Sequence, residues 1–117
     1  MATLTDTART GAFLGSEANG YRSRDVVTVN ATGGAMVAGT ILGKITATGK
    51  YLEHVNAAVD GSQVAVAVLY AGIAAVEDDV TIIIRDAEVT TGELIYDGAG
   101  VVADIDAELA AVGIIVR

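Results

Sequence analysis

The chain has 117 residues, 15 acidic against 7 basic side chains for a formal charge of −8, and is 52% apolar but only 4% aromatic. That length makes one domain able to bury its own core, filled here by Val, Ile, Ala and Leu. The charge argues against a phosphate-backbone partner, the scarcity of aromatics against stacking on single strands, and the absence of cysteine excludes disulfides and thiolate metal sites.

An acidic surface favours solubility and suits a protein outside a DNA compartment rather than within one. Met1 to Asp6 has neither the basic segment nor the apolar block of a signal peptide. The longest apolar run, Val64 to Val76, falls short of the ~20 residues that cross a bilayer. The expectation is a soluble, unprocessed chain with no membrane partner.

Residues 1–24 stand apart from the rest. They are rich in Thr, Ala, Gly, Ser and Asn and carry Arg9, Arg22 and Arg24. The apolar residues Leu4, Phe13, Leu14 and Tyr21 follow no period of 2 or 3.6. Two readings stand side by side, a frayed terminus and an arm that orders on a partner. Residues 25–117 form the β-rich body on either reading.

Val26 to Asn30 is a β-branched strand closed by the turn chemistry of Ala31-Thr32-Gly33-Gly34. Thr40 to Ile45 is a second strand, in which Gly43 marks a bulge or a close backbone approach. Thr46 to Gly49 turns it into a hairpin partner, Lys50 to Val55. Asn56 to Ser62 is a loop. Val64 to Tyr70 alternates Val and Ala, which would put the valines on one face and leave room for a close neighbour on the other.

Glu77-Asp78-Asp79 reads as a turn, and Val80 to Glu88 as the strand around which the rest packs. Its three consecutive isoleucines fit burial on both faces until Arg85-Asp86 ends the apolar run. Glu93 to Tyr96 is a further short strand. Asp104 to Val112 is the one helix, with Ile105, Leu109 and Val112 on one stripe. Asp104 is its expected cap, with Asp106 and Glu108 favoured by the helix dipole, and Gly113 is its C′ residue. Ile114 to Arg117 closes the chain as a strand. The class is mainly β, without internal repeats or linkers.

Motifs for chemistry are missing. A phosphate loop needs four residues between its glycine and its Gly-Lys pair; Gly39 to Gly43-Lys44 leaves three and Gly43 to Gly49-Lys50 leaves five. Single His54 rules out a multi-histidine metal site and reads as a strand-surface residue. Ser62 lacks the sharp Gly-x-Ser-x-Gly turn of an exposed nucleophile. Asp104-x-Asp106-x-Glu108 lacks the glycine and distal glutamate of a calcium loop. Asn30-Ala31-Thr32 fits a glycosylation acceptor but has no secretion signal to go with it. No cofactor is expected.

Several segments, taken in order, carry more than composition does. Arg24 to Val29, Gly39 to Tyr51, Asp60 to Tyr70, Ile84 to Val89 and Ala107 to Arg117 together resemble the lambda-type bacteriophage head decoration protein D family. The resemblance implies a compact β-rich fold, β-tulip or β-clip-like, with one C-terminal helix and an extended N-terminal arm. It implies a homotrimer on the outside of the expanded head, at three-fold and local three-fold positions. There it would cement major capsid protein subunits against packaged DNA, with no direct nucleic-acid contact and no catalysis. The protein would reside in the host cytoplasm during assembly and on the virion afterwards. The arm would touch the capsid, which makes Leu4, Arg9, Phe13, Leu14, Tyr21, Arg22 and Arg24 the expected contact residues. Two rivals come from other classes: a biotinyl- or lipoyl-like carrier modified at Lys44 or Lys50, and a small hydrolase using His54.

Overall fold

A computed structural model describes residues 10–18, 20, 22–98 and 100–117. The elements in order are β1 (Leu14–Glu17), β2 (Arg24–Asn30), β3 (Ile41–Lys44), β4 (Tyr51–Glu53), β5 (Ala67–Leu69), β6 (Glu77–Ile83), β7 (Ala87–Val89), α1 (Val102–Ala111) and β8 (Ile114–Val116). The β-rich class with one helix near the C-terminus takes the form of two packed parts. Five strands close into a barrel in the order β2-β4-β3-β5-β6, and β1-β7-β8 make a separate three-stranded sheet.

The barrel closes through β2 and β6, which run antiparallel from the Arg24↔Ile83 pair to Asn30↔Glu77. Strands β3 and β4 are the expected hairpin. Gly43 lies where that hairpin meets the following loop. A Cβ added there would sit 2.5 Å from the Ser62 Cα and from its carbonyl oxygen, so only glycine allows the approach.

Two clusters divide the apolar residues. One fills the barrel with Val29, Met36, Leu42, Tyr51, Ala67, Leu69, Ile73 and Ile82. The other lies between the barrel wall and the sheet-helix layer, and contains Phe13, Ile41, Val68, Ile83, Val89, Leu94, Ile105, Leu109 and Ile114. Adjacent residues on a strand point to opposite faces, so Ile82 enters one cluster and Ile83 the other. The expected burial on both faces is therefore real, but confined to those two positions. Upstream, Glu77, Asp78 and Asp79 are exposed yet belong to β6 rather than to a turn. Partners hold them in the ladder: Lys50 Nζ lies 2.8 Å from Glu77, and the Thr28 hydroxyl donates to Asp79 at 2.6 Å. Downstream, Asp86 adopts φ +48° and breaks the run, so that Ala87–Val89 joins the other sheet.

Three further expectations are corrected. Val64 to Tyr70 is a strand only at β5, and its valines do not share a face: Val64 is exposed, Val66 packs on the barrel cluster and Val68 lies in the other. Glu93 ends a short 3-10 turn, Thr91–Glu93, and Ile95 makes a single parallel bridge with Thr40 instead of a strand. Helix α1 starts earlier than expected. Its N-cap is Val101, with no side-chain cap, and Asp104 falls within the first turn. The stripe holds, with Ile105 and Leu109 buried and Val112 packed beside them, and Gly113 follows at φ +86°.

The N-terminal boundary also moves. Phe13 is 0% exposed and part of the core, and β1 pairs antiparallel with β7 through Leu14↔Val89 and Glu17↔Ala87. An arm extending to residue 24 therefore does not fit. No period places Phe13 on a face, yet a single large ring fills a gap between layers without any period.

Candidate functional site

The expected contact residues fall into three groups. Leu4, Arg9 and Tyr21 lie outside the described residues. Phe13 is a fully buried core residue, and Leu14 is partly buried and packs against the same cluster. Arg22 and Arg24 meet at the corner where the chain passes from sheet to barrel. Arg22 pairs with Asp86 at 3.3 Å. Arg24 forms a two-point contact with Glu17 and lies 4.2 Å from the centre of the Tyr70 ring. The hydrogen bond to Glu17 raises its pKa further above the ordinary arginine value. Arg24 is thus a tie between β1 and β2 rather than a spare cation.

Ser23 organises this corner and was not singled out by the sequence. It is fully buried, accepts from the Ala18 amide at 2.9 Å and donates to the Asp86 carbonyl at 2.7 Å. Its own carbonyl accepts from the Ile84 amide at 2.9 Å. Arg85 donates to the Arg22 carbonyl at 2.8 Å. These bonds fix the strained Asp86 turn against the β1–β2 crossing, joining residues more than 60 apart in the chain. The neighbouring outer face of the sheet is a shallow groove of about 330 Å³ lined by Ser16, Glu17, Arg22, Asp86, Glu88 and Ile115.

Glu88 sits at the centre of that face. It accepts from Arg117 and, at 3.0 Å, from Ser16. The Arg117 bond first and the Ser16 bond second hold its pKa below the ordinary 4.5. Asp60 is likewise lowered, by the Ser62 hydroxyl first and the Ser62 amide second. A carboxylate with a depressed folded pKa contributes stability that is present above its unfolded pKa and lost as pH falls through the folded value. The melting temperature should therefore hold near neutrality and decline below pH about 4.5. Glu88→Gln should flatten that acid limb in melts taken from pH 7 to pH 3. An unchanged limb would remove Glu88 from the linkage.

His54 and Ser62 do not form a catalytic pair. His54 is 1% exposed rather than on the surface. Its Nε2 lies 3.0 Å from the Gln63 carbonyl and must carry the proton to bond there, while Nδ1 is buried without a partner. Ser62 donates its hydroxyl to Asp60 at 2.6 Å. Histidine and serine are thus both engaged elsewhere, which removes the geometry a hydrolase would need. Lys50 pairs with Glu77, and Lys44 lies 5.8 Å from the centre of the Tyr51 ring. Both flank the turn that joins β3 to β4, Lys44 as the last residue of β3 and Lys50 as the residue just before β4.

The acidic series on α1 is dispersed among structural bonds. Asp106 accepts from the Tyr96 hydroxyl at 2.6 Å and Glu108 from the Ala65 amide at 2.6 Å. Burial, and then the Asp106 bond, push the Tyr96 pKa up to about 12. No cluster of three or more His, Asp or Glu able to hold a metal occurs among the described residues. No helix among them is long and apolar enough to cross a membrane.

The described residues thus form a cross-braced barrel and sheet with shallow grooves on its surface. The chain belongs to the bacteriophage lambda head decoration protein D family, whose model matches residues 3–114. A search of curated proteins finds no match. The family is one of structural capsid proteins rather than enzymes, and membership places this protein at the exterior of a phage capsid, in association with it.

Proposed function

We propose that the protein is a cement: a homotrimer that binds the outside of the expanded head at three-fold and local three-fold positions and braces major capsid protein subunits against packaged DNA. It would accumulate in the host cytoplasm and join the head during assembly. The observation that carries this reading is the family match across nearly the whole chain. The fold agrees in kind. Among the described residues β1 and β8 are the outer strands of the open sheet, while the other five are closed into the barrel. The first nine residues, with Leu4 and Arg9, lead into β1. A segment entering beside a sheet edge suits strand addition to a partner, and three such segments on one trimer would multiply weak contacts.

The test uses a cut at residue 9, because Phe13 and β1 belong to the body. Full-length protein should cosediment with expanded, decoration-free capsids and raise their resistance to heat. Deletion of Ala2 to Arg9 should leave the melting temperature within a few degrees and weaken capsid binding at least about tenfold. Sedimentation over a wide concentration range should show the trimer. Full-length protein that never binds such capsids would overturn the reading. Equal binding by the truncated form would remove the arm from it.

A further inference from the structure

Nine large aliphatic side chains are exposed among the described residues, and five of them stand on two segments that are bonded together. Val55 and Val59 lie between β4 and β5; Ile95 and Val101 lie before α1, and Val102 opens it. The Asn56 amide donates to the Asp97 carboxylate at 2.6 Å, and a Cβ built on Gly100 would be 3.6 Å from the Asn56 Cβ. Val59 is 94% exposed and Val101 60%, so nothing among the described residues covers them. Loops at a surface ordinarily carry polar residues, and a concentration of β-branched aliphatics on two joined loops marks an interaction surface.

Val101 adds an independent sign. It is the N-cap of α1, in extended conformation at φ −94° and ψ 119°, and supplies no side-chain bond to the first turn. Ser, Thr, Asp or Asn in that position would satisfy an orphan amide and stabilise the helix. The chain forgoes that gain and exposes a valine instead. Departures from local rules without a structural return concentrate at functional positions.

Charge identifies the partner. Glu53 stands two residues before Val55, Asp60 follows Val59, Glu93 precedes Ile95 by two, and Asp104 follows Val102 by two; all four carboxylates are on exposed residues. None takes part in the ion pairs among the described residues, whose acidic members are Asp86, Glu17, Glu77 and Glu88. A second copy would bring little to meet them. Four of its seven basic residues, Arg22, Arg24, Lys50 and Arg117, are engaged in those ion pairs, which leaves Lys44 and Arg85 among the described residues, and the chain as a whole is acidic.

We propose that these two loops form a docking surface for a segment of the capsid that is apolar at its centre and carries Lys or Arg at its flanks. The inference rests on the decoration reading and adds to it a second contact, separate from the N-terminal segment. The valines would supply the desolvated centre of the contact, and the surrounding carboxylates would steer the approach and set register.

Stability and binding should move in opposite directions, which a purely structural role for Val101 would not produce. Val101→Ser, made in the full chain, should raise the melting temperature by a few degrees through its new cap. The same variant should bind expanded, decoration-free capsids more weakly, and Val59→Ser/Val101→Ser at least about tenfold more weakly. Glu53→Gln/Asp104→Asn should reduce the loss of binding between low and physiological salt. Wild-type levels of decoration by the Val59→Ser/Val101→Ser protein, with wild-type protein binding normally, would overturn the docking surface and leave the decoration reading intact. A change in the free protein's oligomeric state in that double variant would also overturn it, by assigning the loops to a contact between copies. Failure of the wild-type protein to bind would overturn both.

Discussion

Ile83→Asp is expected to abolish folding. Ile83 is fully buried in the cluster between barrel and sheet, packed with Phe13, Ile41, Val68 and the α1 side chains. Its backbone pairs with Arg24 on one side and Val68 on the other, so the strand has no room to turn the side chain out. Burying an unpaired carboxylate there costs several kcal/mol, against a total stability of about 5–15 kcal/mol for a domain of this kind. Ile83→Val keeps the shape and should cost only about 0.5–1.5 kcal/mol. Denaturant unfolding of the two variants beside the wild type makes the comparison. An Ile83→Asp protein that stays folded with an unchanged midpoint would show that the two-layer packing is wrong.

The second large effect is expected at Phe13, four residues after the point where the N-terminal cut leaves the body intact. Phe13→Ala should cost about 3–5 kcal/mol, because the ring fills space between the barrel wall and the sheet and its removal leaves a cavity. Phe13→Leu, closer in volume, should cost less than about 1.5 kcal/mol once the neighbours adjust. Deleting residues 2–17 removes Phe13 together with β1, which leaves β7 without one of its two partners. That protein should be unfolded by circular dichroism, whereas deletion of residues 2–9 should not be. If the longer deletion melts at the wild-type temperature, the segment from Phe13 to Glu17 contributes nothing to the core.

The sequence is most informative where structure is set locally. Strand β2, the β3–β4 hairpin, the α1 stripe and the Gly113 stop all follow from short-range periodicity and turn chemistry. So does the close approach at Gly43. The failures lie where a distant partner decides. Glu77-Asp78-Asp79 looks like a turn until β2 supplies a seven-pair ladder to hold it. Glu93 to Tyr96 has strand composition but only one bridge to Thr40. Nothing near Phe13 or His54 in the chain shows that other elements will close over them. The same holds at the surface. The family resemblance leads toward an N-terminal contact, but the Ser23–Asp86 brace and the union of the Val55 and Val101 loops depend on bonds across 41 to 63 residues. The open cap at Val101 is equally hidden in the sequence, because Asp104 has the chemistry of a helix start three residues later.

Closing the barrel has a consequence for a protein meant to work in a crowd. Unpaired strands recruit one another when copies are held at high local density, and such recruitment ends in fibres or amorphous aggregates. Here β2 through β6 pair with one another around a closed barrel, with β2 and β6 joined along all seven residues of each. The outer strands of the open sheet are the four-residue β1 and the three-residue β8. The first is interrupted by an irregularity between Leu14 and Ser16, and the second is followed by the charged Arg117. Both are poor templates for indefinite growth. A coat of many such domains can therefore be packed side by side without seeding its own precipitation.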